Sequence, residues 1–519
     1  MQPESSCVRK WCCDVSDNRD EWKVILADLD DRRDRGAAMG GPAKVEKYRS
    51  SGRGDARQRV VSVVDSGTFT ELGILAGELP ADAFIAGSGL IGGRPALVGA
   101  EDFTVAGGSI GLAAAAKRAR LATLAKQERV PLIMMLEGAG HRATNALHPH
   151  PPSPNDLQLH AELSGLVPTV AIVTGPSAGH GALTAPLSDF VVMAAGHGAL
   201  FTAGPPLVAA SMGEQIDKRA LGGPAVAVDA SGVAHNVAAS DAAALAMVQR
   251  YLSYFPTNAW ELPPFVGPAE GNHDIGERSL EALLDLIPPN PKRPYDMAAV
   301  LELLVDGGTL MEIQPTHATS IITALGRIGG HSVAIVANQP KVLAGSIDVA
   351  AANKAARFIE IAGAFHLPVV FLADNPGVMG GSVSEKAGIL RAGARMFAAQ
   401  HRLKSAKFHV TMRKAFGFGS SVMGMNPYDS QSTTLAFPNV MLGGIPAEVG
   451  GRTAREDDRT RQELVDAEAS GPWRSARMLT YDDVIDPRQL RNALLSGLRT
   501  AGGRRTGSVE PVRHTGYVV

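Results

Sequence analysis

The sequence contains few cysteines, few aromatic residues and no strong excess of charge. Its three cysteines, Cys7, Cys12 and Cys13, all lie near the N-terminus, so they form neither a disulfide framework nor a four-ligand zinc site, and we predict a reduced tail. Aromatic residues make up 5% of the 519 residues and the net charge is −2, which argues against nucleic acid as a partner. No apolar run reaches membrane-spanning length and the polar N-terminus has no signal-peptide core, so we predict a cytoplasmic protein without a membrane partner.

Two well-known motifs, one nucleotide-binding and one metal-binding, are also missing. There is no P-loop and no H-E-x-x-H. The sequence gives no sign of a bound metal. Glycine is abundant instead, with 57 residues, and this composition favours binding sites built from the main chain.

Three blocks of the sequence occur twice at an almost constant offset. The segment from Val130, VPLIMMLEGAGHR, corresponds to LPVVFLADNPGVM from Leu367, an offset of 367 − 130 = 237. The blocks that begin at Ala96 and Ala171 correspond to blocks that begin at Ala334 and His409, each offset by 238 (334 − 96 and 409 − 171). A repeated offset of this kind indicates two copies of one structural unit.

Apolar segments alternate with helical patterns in both copies, which predicts an α/β fold in each. A chain of 519 residues is too long for one hydrophobic core. We therefore predict two similar domains, joined by a proline-rich linker and flanked by tails. The predicted boundaries are 1–40 for the N-terminal tail, 41–265 and 294–500 for the two domains, 266–293 for the linker, and 501–519 for the C-terminal tail.

A glycine-rich turn follows a buried strand in each copy. Gly179 and Gly181 flank one residue in the first copy, and Gly417 and Gly419 flank one residue in the second. Converging main-chain N–H groups in such turns can form an oxyanion hole, in which each donor lowers the activation barrier by about 3 kcal/mol. The alternative is that the glycines only permit a tight strand-to-helix turn. Their recurrence at one offset favours the oxyanion hole.

The chain resembles the carboxyltransferase (β) subunits of biotin-dependent acyl-CoA carboxylases, of the propionyl- and acetyl-CoA type. The resemblance runs from about Gly41 to Arg452, about four-fifths of the chain. The matching strings, in order, are EDFTVAGGSIG (101–111), GPSAGHGALTAPLSDFVVM (175–193), FTAGPPLV (201–208), RYLSYFPTN (250–258), PKRPYDM (291–297), VANQPKVLAGSIDVAAANKAARFI (336–359), DNPGVMGG (374–381), GILRAGAR (388–395) and RKAFGFGSSVMG (413–424).

The resemblance implies two crotonase-like domains from an internal duplication, in an enzyme that moves a carboxyl group from carboxybiotin to the α-carbon of an acyl-CoA. Both half-reactions create an oxyanion, one on the thioester and one on the biotin ureido group. The family usually assembles as hexameric rings, so we expect a homo-hexamer or a mixed ring with a paralogue. The chain has no A-M-K-M biotinylation motif and no ATP-binding glycine loop, so biotin is expected on a biotin carboxylase/biotin carboxyl carrier partner.

The resemblance also implies roles for single residues. The main chain around the first turn would face the acyl-CoA carbonyl, and the main chain around the second turn would face the biotin ureido oxygen. The implied catalytic residues are Gly179, His180, Gly181, Phe418 and Gly419. The implied substrate-binding residues are Gly140, Arg142, Ala178 and Ser421, and the implied biotin-binding residues are Gly377, Lys414 and Gly417.

The chain departs from the family at both turns, where the family commonly has G-G-A. The central residues here are His180 and Phe418, whose side chains add bulk near the reacting atoms and can disfavour a positive φ. His180 as a general base competes with a packed or hydrogen-bonded histidine. The segment LEGAGHRATN (136–145) keeps Arg142 but has Thr144–Asn145 in place of Gln-Glu, and 112–116 lacks the usual Glu and His near CoA.

Four cations have two possible roles each. Arg413 and Lys414 could hold negative charge near biotin or form a surface pair, and Lys117 and Lys354 could meet CoA phosphates or be solvated.

Two other functions remain open beside the carboxylase subunit. The altered turns are compatible with a non-catalytic structural subunit of a mixed ring, and the same enolate chemistry would serve an acyl-CoA decarboxylase.

Overall fold

The computed structural model describes residues 11–147, 149, 154–426, 429–502 and 511. It contains two large mixed sheets, one in each half of the chain, with helices packed on them. The predicted α/β class and the duplication are both confirmed. The domain boundaries themselves stay a prediction.

The first half begins with a long helix and then alternates strands and helices. Its strands are β1 (Thr70–Leu72), β2 (Phe84–Ile91), β3 (Arg94–Glu101), β4 (Leu132–Leu136), β5 (Thr169–Val173), β6 (Pro176–Ala178), β7 (Phe190–Ala194), β8 (Ala199–Phe201) and β9 (Asn236–Ala238). Its helices are α1 (Trp11–Ala37), α2 (Pro42–Arg49), α3 (Ala56–Val63), α4 (Leu112–Glu128), α5 (Asp156–Ala161), α6 (Gly179–Ala182), α7 (Thr184–Leu187), α8 (Pro205–Met212), α9 (Lys218–Gly222) and α10 (Asp241–Leu252).

The second half repeats this alternation. Its strands are β10 (Met311–Ile313), β11 (Ile321–Ile328), β12 (His331–Asn338), β13 (Val369–Asn375), β14 (Lys407–Phe416), β15 (Gln431–Ala436), β16 (Met441–Gly443) and β17 (Asp483–Val484). Its helices are α11 (Leu283–Leu286), α12 (Met297–Leu304), α13 (Val349–Ala364), α14 (Ser382–Ala387), α15 (Ile389–His401), α16 (Gly417–Val422), α17 (Ala447–Thr453), α18 (Asp458–Glu468), α19 (Trp473–Arg477) and α20 (Leu490–Thr500).

Strand order shows the duplication directly. The first sheet runs β1-β2-β3-β4-β5-β7-β9, and the second runs β10-β11-β12-β13-β14-β15-β17, with β16 paired to the end of β14. In each sheet the first three strands are antiparallel and the others are parallel. The carboxyl ends of the parallel strands therefore meet at one edge, where ligands bind in folds of this kind.

Sequence and burial agree at the centre of both sheets. Every residue of β4 and β5 is buried, as is every residue of β13. β4 is a continuous apolar run, and β5 and β13 are largely apolar, because helices cover both faces of a parallel sheet. The central strands are therefore fixed in place, and they hold the loops at their carboxyl ends.

The two halves share a core. The Phe255 and Phe365 rings meet edge to face at 5.6 Å, and a single cluster of buried apolar side chains includes residues from both sheets. The Arg357 side chain donates to the Ser188 carbonyl at 2.6 Å, and the His366 ring lies 2.6 Å from the Ala259 carbonyl oxygen. Burial of this joint surface stabilises one arrangement of the halves.

Much of the predicted N-terminal tail is helical. Helix α1 covers 11–37, so Cys12 and Cys13 lie in a helix, while Cys7 lies outside the described residues. The predicted linker contains the short helix α11 (Leu283–Leu286) and contacts the second domain, as its hydrogen bonds with Arg413 show. The predicted C-terminal tail, 501–519, is described only at 501, 502 and 511.

Candidate active site

Each glycine turn leads from a strand into a short helix. In the first half β6 is followed by α6, and in the second β14 is followed by α16. Gly179 and Gly417 open these helices with φ of 56° and 51°, a region that glycine enters without strain. His180 and Phe418 follow inside the helices and are not among the residues with positive φ. The expected conflict between their side chains and a positive φ therefore does not arise.

The main-chain N–H groups of both turns lack acceptors within the described part of the chain. His180 and Gly181 occupy the first turn of α6, and Phe418 and Gly419 occupy the first turn of α16. Amides in a first helical turn have no partner within the helix, and no other described backbone group accepts from these four. Each half thus presents amide donors that a ligand oxygen can use.

Neighbouring groups leave no room for a larger residue at the third position of either turn. A Cβ at Gly181 would lie 2.8 Å from Glu101 Oε1. A Cβ at Gly419 would overlap Asn375 Oδ1 and lie 2.6 Å from Gly377 Cα. These glycines let α6 and α16 approach the ends of neighbouring strands.

The loops after β4 and β13 pack beside the two turns. Gly140 has a φ of 82°, and a Cβ there would lie 2.8 Å from the Ala178 carbonyl oxygen; the Ala178 amide donates to Gly138. The Gly140 carbonyl accepts from Ile110 at 2.8 Å, and the equivalent Gly377 carbonyl accepts from Ile347 at 3.2 Å. The structure therefore brings Gly140 and Ala178 to the first turn, and Gly377 to the second.

The His180 side chain belongs to a buried ionic network. His180 Nε2 lies 2.6 Å from Asp156 Oδ1, and Arg118 Nε donates to Asp156 Oδ2 at 2.7 Å. Arg118 also donates to Glu101 Oε1 at 3.1 Å and to Thr184 Oγ1 at 2.7 Å. Burial alone would raise the pKa of Asp156, but the hydrogen bond from His180 and the Arg118 charge outweigh it and hold that pKa below its usual value. Asp156 is therefore ionised.

Arg142 lines a cavity of about 420 Å³ together with Asp82 and the first residues of α4. Its guanidinium donates to Asp82 Oδ1 at 2.6 Å, to Ser109 Oγ at 3.1 Å and to the Ser109 carbonyl at 2.9 Å. Thr144 and Asn145, which replace the family's Gln-Glu pair, line the same cavity. Arg142 is thus held in place by the protein at the edge of an open space.

The second turn has an apolar side chain where the first has an ionisable one. Phe418 is 42% exposed and its ring stacks on Phe397 with 6.1 Å between centroids. Ser421 is half-buried one turn further along α16. Lys414 Nζ lies 3.8 Å from Asp374 Oδ1, and burial lowers the pKa of this lysine.

Three of the four cations have neither of the roles offered for them. Arg413 is buried, where its Nε donates to Asp374 at 2.7 Å and its Nη1 donates to main-chain carbonyls of 288–293. Lys117 and Lys354 are buried as well and donate to main-chain carbonyls, of Ala81 and Phe84 for Lys117, and of Gln314, His317 and Ile321 for Lys354. Long cationic side chains bury in this way because several carbonyl oxygens together replace water.

Sequence reasoning missed the polar partners of the first turn. Asp156 lies on α5, Arg118 on α4 and Glu101 at the end of β3, and only the fold brings them to His180. The same holds for Asn375 beside Gly419. The repeat in the sequence could not predict these residues, because His180 and its partners differ from the residues at the corresponding positions of the second copy.

Two further features are absent from the described residues. No three or more His, Cys, Asp and Glu side chains in the described ranges are grouped so that they could hold a metal ion. No helix in the part of the chain that the structure describes is both long and apolar enough to cross a membrane.

The family of carboxyl transferase domains matches this chain over residues 47–511. The chain belongs to this family. Among relatives of this carboxyl transferase, the methylmalonyl-CoA decarboxylase subunit alpha of Veillonella parvula is 33% identical over 493 residues, 92% of this chain and 95% of the relative. The propionyl-CoA carboxylase carboxyltransferase subunit of Haloferax mediterranei is 31% identical over 502 residues, 92% and 96% of the two chains.

Solved structures agree with the sequence comparison. The transcarboxylase 12S crystal structure with hydrolysed methylmalonyl-coenzyme A superposes on this carboxyl transferase with a TM-score of 0.86 and 31% identity, over 95% of this chain and 97% of the other. A single-chain, multi-domain long-chain acyl-CoA carboxylase gives a TM-score of 0.78 and 28% identity, over 91% of this chain and 48% of the other. These comparisons confirm three predictions: the family, the fold class, and an enzyme that transfers a carboxyl group.

Proposed function

We propose that this chain is the carboxyltransferase subunit of a biotin-dependent acyl-CoA carboxylase. It transfers a carboxyl group from carboxybiotin to the α-carbon of an acyl-CoA. The observation that carries this function is the pair of equivalent turns, each with first-turn amides that have no acceptor in the described structure. Main-chain donors fixed in advance stabilise an enolate oxygen without rearrangement during the reaction.

The two turns divide the reaction between them. The amides of His180 and Gly181 bind the thioester oxygen, and Gly140 and Ala178 shape the space beside it. Arg142, at the edge of the cavity that it lines with Thr144 and Asn145, binds the acyl-CoA outside this turn. Acyl-CoA is therefore held by the first domain, where enolate charge on the thioester is stabilised.

The second turn binds the carboxyl donor. The amides of Phe418 and Gly419 face the ureido oxygen of biotin, with Gly377 and Gly417 as close main-chain neighbours. Lys414, near the Asp374 carboxylate, supplies positive charge at the edge of this site. Ser421, further along α16, contributes to selection of the acyl chain.

The biotin is covalently carried by a partner, a biotin carboxylase/biotin carboxyl carrier subunit. The related transcarboxylase 12S structure is described as a hexamer assembly. We infer that this chain forms a homo-hexamer or a mixed ring with a paralogue, because neighbouring protomers of a ring bring an acyl-CoA turn and a biotin turn together. We place this assembly in the cytoplasm.

A partner-free assay tests the transfer itself. Purified chain is mixed with methylmalonyl-CoA or malonyl-CoA and free biotin, and loss of the carboxyl group is followed by chromatography of the CoA esters. We expect biotin-dependent conversion to propionyl-CoA or acetyl-CoA. Reconstitution with a biotinylated biotin carboxylase partner then follows carboxylation of acetyl-, propionyl- and longer acyl-CoA. Silence in both assays across all these substrates contradicts the proposal.

The same assays separate an enzyme from a structural subunit. If the chain is a scaffold, its homomer is silent and the double variant His180→Gly, Phe418→Gly, which restores the family's glycines, gains activity. If the chain is an enzyme, the unaltered protein is active and the double variant is not needed for activity.

A decarboxylase is the second candidate function, favoured by the relative from Veillonella parvula that is named a methylmalonyl-CoA decarboxylase subunit. Carboxylation and decarboxylation pass through the same thioester enolate in opposite directions. The two functions differ in which reactant supplies the carboxyl group. Activity with methylmalonyl-CoA and biotin, but none in the carboxylation assay with a charged biotin partner, indicates the decarboxylase.

A further inference from the structure

We propose that His180 is a general base for the α-proton of the bound acyl-CoA, held in position by Asp156, so that the chain exchanges this proton with solvent even without biotin. The inference rests on the proposed function, because it requires the thioester at the first turn. Exchange without a carboxyl donor is an activity beyond carboxyl transfer.

Hydrogen bonding fixes which ring nitrogen is basic. The Asp156 carboxylate is an acceptor only, so the Nε2 atom of His180, at 2.6 Å, carries the hydrogen. In the neutral ring the Nδ1 atom then has the free lone pair. The His180 side chain is 25% exposed, whereas the Asp156 side chain is 7% exposed. The histidine can thus reach a ligand while its partner stays buried.

The partner carboxylate is itself held rigidly. Arg118 Nε donates to Asp156 at 2.7 Å, and both side chains are buried. Arg118 is fixed in turn by Glu101 and Thr184. A base held by a buried carboxylate, which is oriented by a third group, is the arrangement that supports proton transfer in other enzymes.

The position of His180 connects this base to the thioester. In the proposed complex the main-chain N–H of the same residue donates to the thioester oxygen, so the imidazole belongs to a residue that contacts the reacting thioester. At the equivalent position of the second turn, Phe418 stacks on Phe397 and cannot accept a proton. Only the acyl-CoA side of the reaction contains a carbon acid, and of the two central turn residues only His180, which lies on this side, is ionisable.

The proton-transfer step balances without any other reactant. The α C–H bond breaks, the proton moves to His180 Nδ1, and the electron pair forms the enolate, whose oxygen is held by the amides of His180 and Gly181. The imidazolium, stabilised by Asp156, exchanges its proton with solvent and returns one to the α-carbon. In heavy water the product is acyl-CoA deuterated at C2.

The test incubates the purified full chain with propionyl-CoA in heavy water, without biotin or partner, and measures deuterium at C2 by mass spectrometry. We expect enzyme-dependent exchange, and a decrease of about 100-fold in His180→Gln, the usual contribution of a general base. The exposed His273 is the matched control, and His273→Gln leaves the rate unchanged. Added imidazole restores exchange in His180→Gly, which a purely structural histidine does not allow.

The pH profile tests Asp156 as a positioning residue. The charged or titratable groups around His180 are Asp156, Arg118, Glu101 and His141. In Asp156→Asn the imidazolium loses its counter-charge, so the rate falls at least about tenfold and the acidic limb of the profile, where the base becomes protonated, moves to lower pH. Asp156→Glu retains the charge and recovers part of the rate and the position of the limb.

Two outcomes overturn the inference and are distinguishable from failure of the proposed function. The first outcome is deuterium exchange that is no faster than in free propionyl-CoA, or that is unchanged in His180→Gln. If calorimetric binding of propionyl-CoA and transfer from methylmalonyl-CoA to free biotin persist, this result overturns the role of His180 as a base and leaves the proposed function intact. If neither binding nor transfer occurs, the proposed function fails together with the inference.

Discussion

At the scale of single residues, the two turns share their backbone but differ in their central side chains. Gly179 and Gly417 supply the positive φ in both. The sequence predicted these equivalent positions because repetition preserves main-chain geometry. The partners of His180 were not predictable in this way, since Asp156 and Arg118 come from separate helices that only the fold brings together.

Gly419→Ala tests the tight approach of α16. The new methyl group would overlap Asn375 and lie 2.6 Å from Gly377 Cα, so α16 must shift and carry its amides away from the ligand oxygen. Loss of one such donor costs about 3 kcal/mol, or about 100-fold in rate. The measurement is transfer from methylmalonyl-CoA to free biotin. Gly196→Ala, where a Cβ meets open space, is the control and keeps full activity.

At the scale of elements, buried polar groups attach β14 to its surroundings. Arg413 joins this strand to Asp374 and to the carbonyls of the predicted linker. The sequence of β14, which is apolar with a few cations, does not predict these contacts of Arg413, because the acceptors include main-chain carbonyls from distant segments. The apolar sequences of β4 and β5, by contrast, are typical of strands buried on both faces, and every residue of both strands is buried.

Arg413→Met should lower the free energy of unfolding by about 3–5 kcal/mol, because the buried Asp374 carboxylate loses its partner. Urea unfolding followed by circular dichroism measures the change. The same substitution at Arg459, in an exposed pair with Glu463, is the control and changes stability by less than about 1 kcal/mol. Equal effects at both positions would contradict a structural role for Arg413.

His409 of β14 gives a pH prediction. Burial lowers the pKa of His409 from its ordinary value of 6.5 to about 4. The unfolded chain therefore binds more protons between these values, so stability is full above about pH 6.5 and falls as the pH decreases toward 4. His409→Asn, which cannot titrate, should weaken this dependence by about 2 kcal/mol between pH 7 and 4.5. Urea unfolding at both pH values measures it, and an unchanged dependence contradicts the prediction.

At the scale of the whole molecule, duplication explains the two sheets and shared burial joins them. The repeat offset in the sequence predicted equivalent strand orders, which the structure has. The contact between the halves could not be predicted from the repeat, because it uses residues that are not equivalent, such as Phe255 and Phe365.

Phe365→Ala tests this joint core. Removing a fully buried aromatic ring costs about 3–5 kcal/mol, and we expect faster hydrogen exchange in both β5 and β13. Mass spectrometry after exchange locates the change. Phe103→Ala, at an exposed position, is the control. Faster exchange confined to the second half would show that the halves are energetically independent.

The most direct test of the central claim is a crystal structure of the chain with propionyl-CoA bound. The account predicts that the thioester oxygen lies about 2.7–3.1 Å from the main-chain nitrogens of His180 and Gly181, the distance of an oxyanion-hole contact. A thioester bound elsewhere, or these two amides bonded to protein acceptors while the ligand is present, would contradict it.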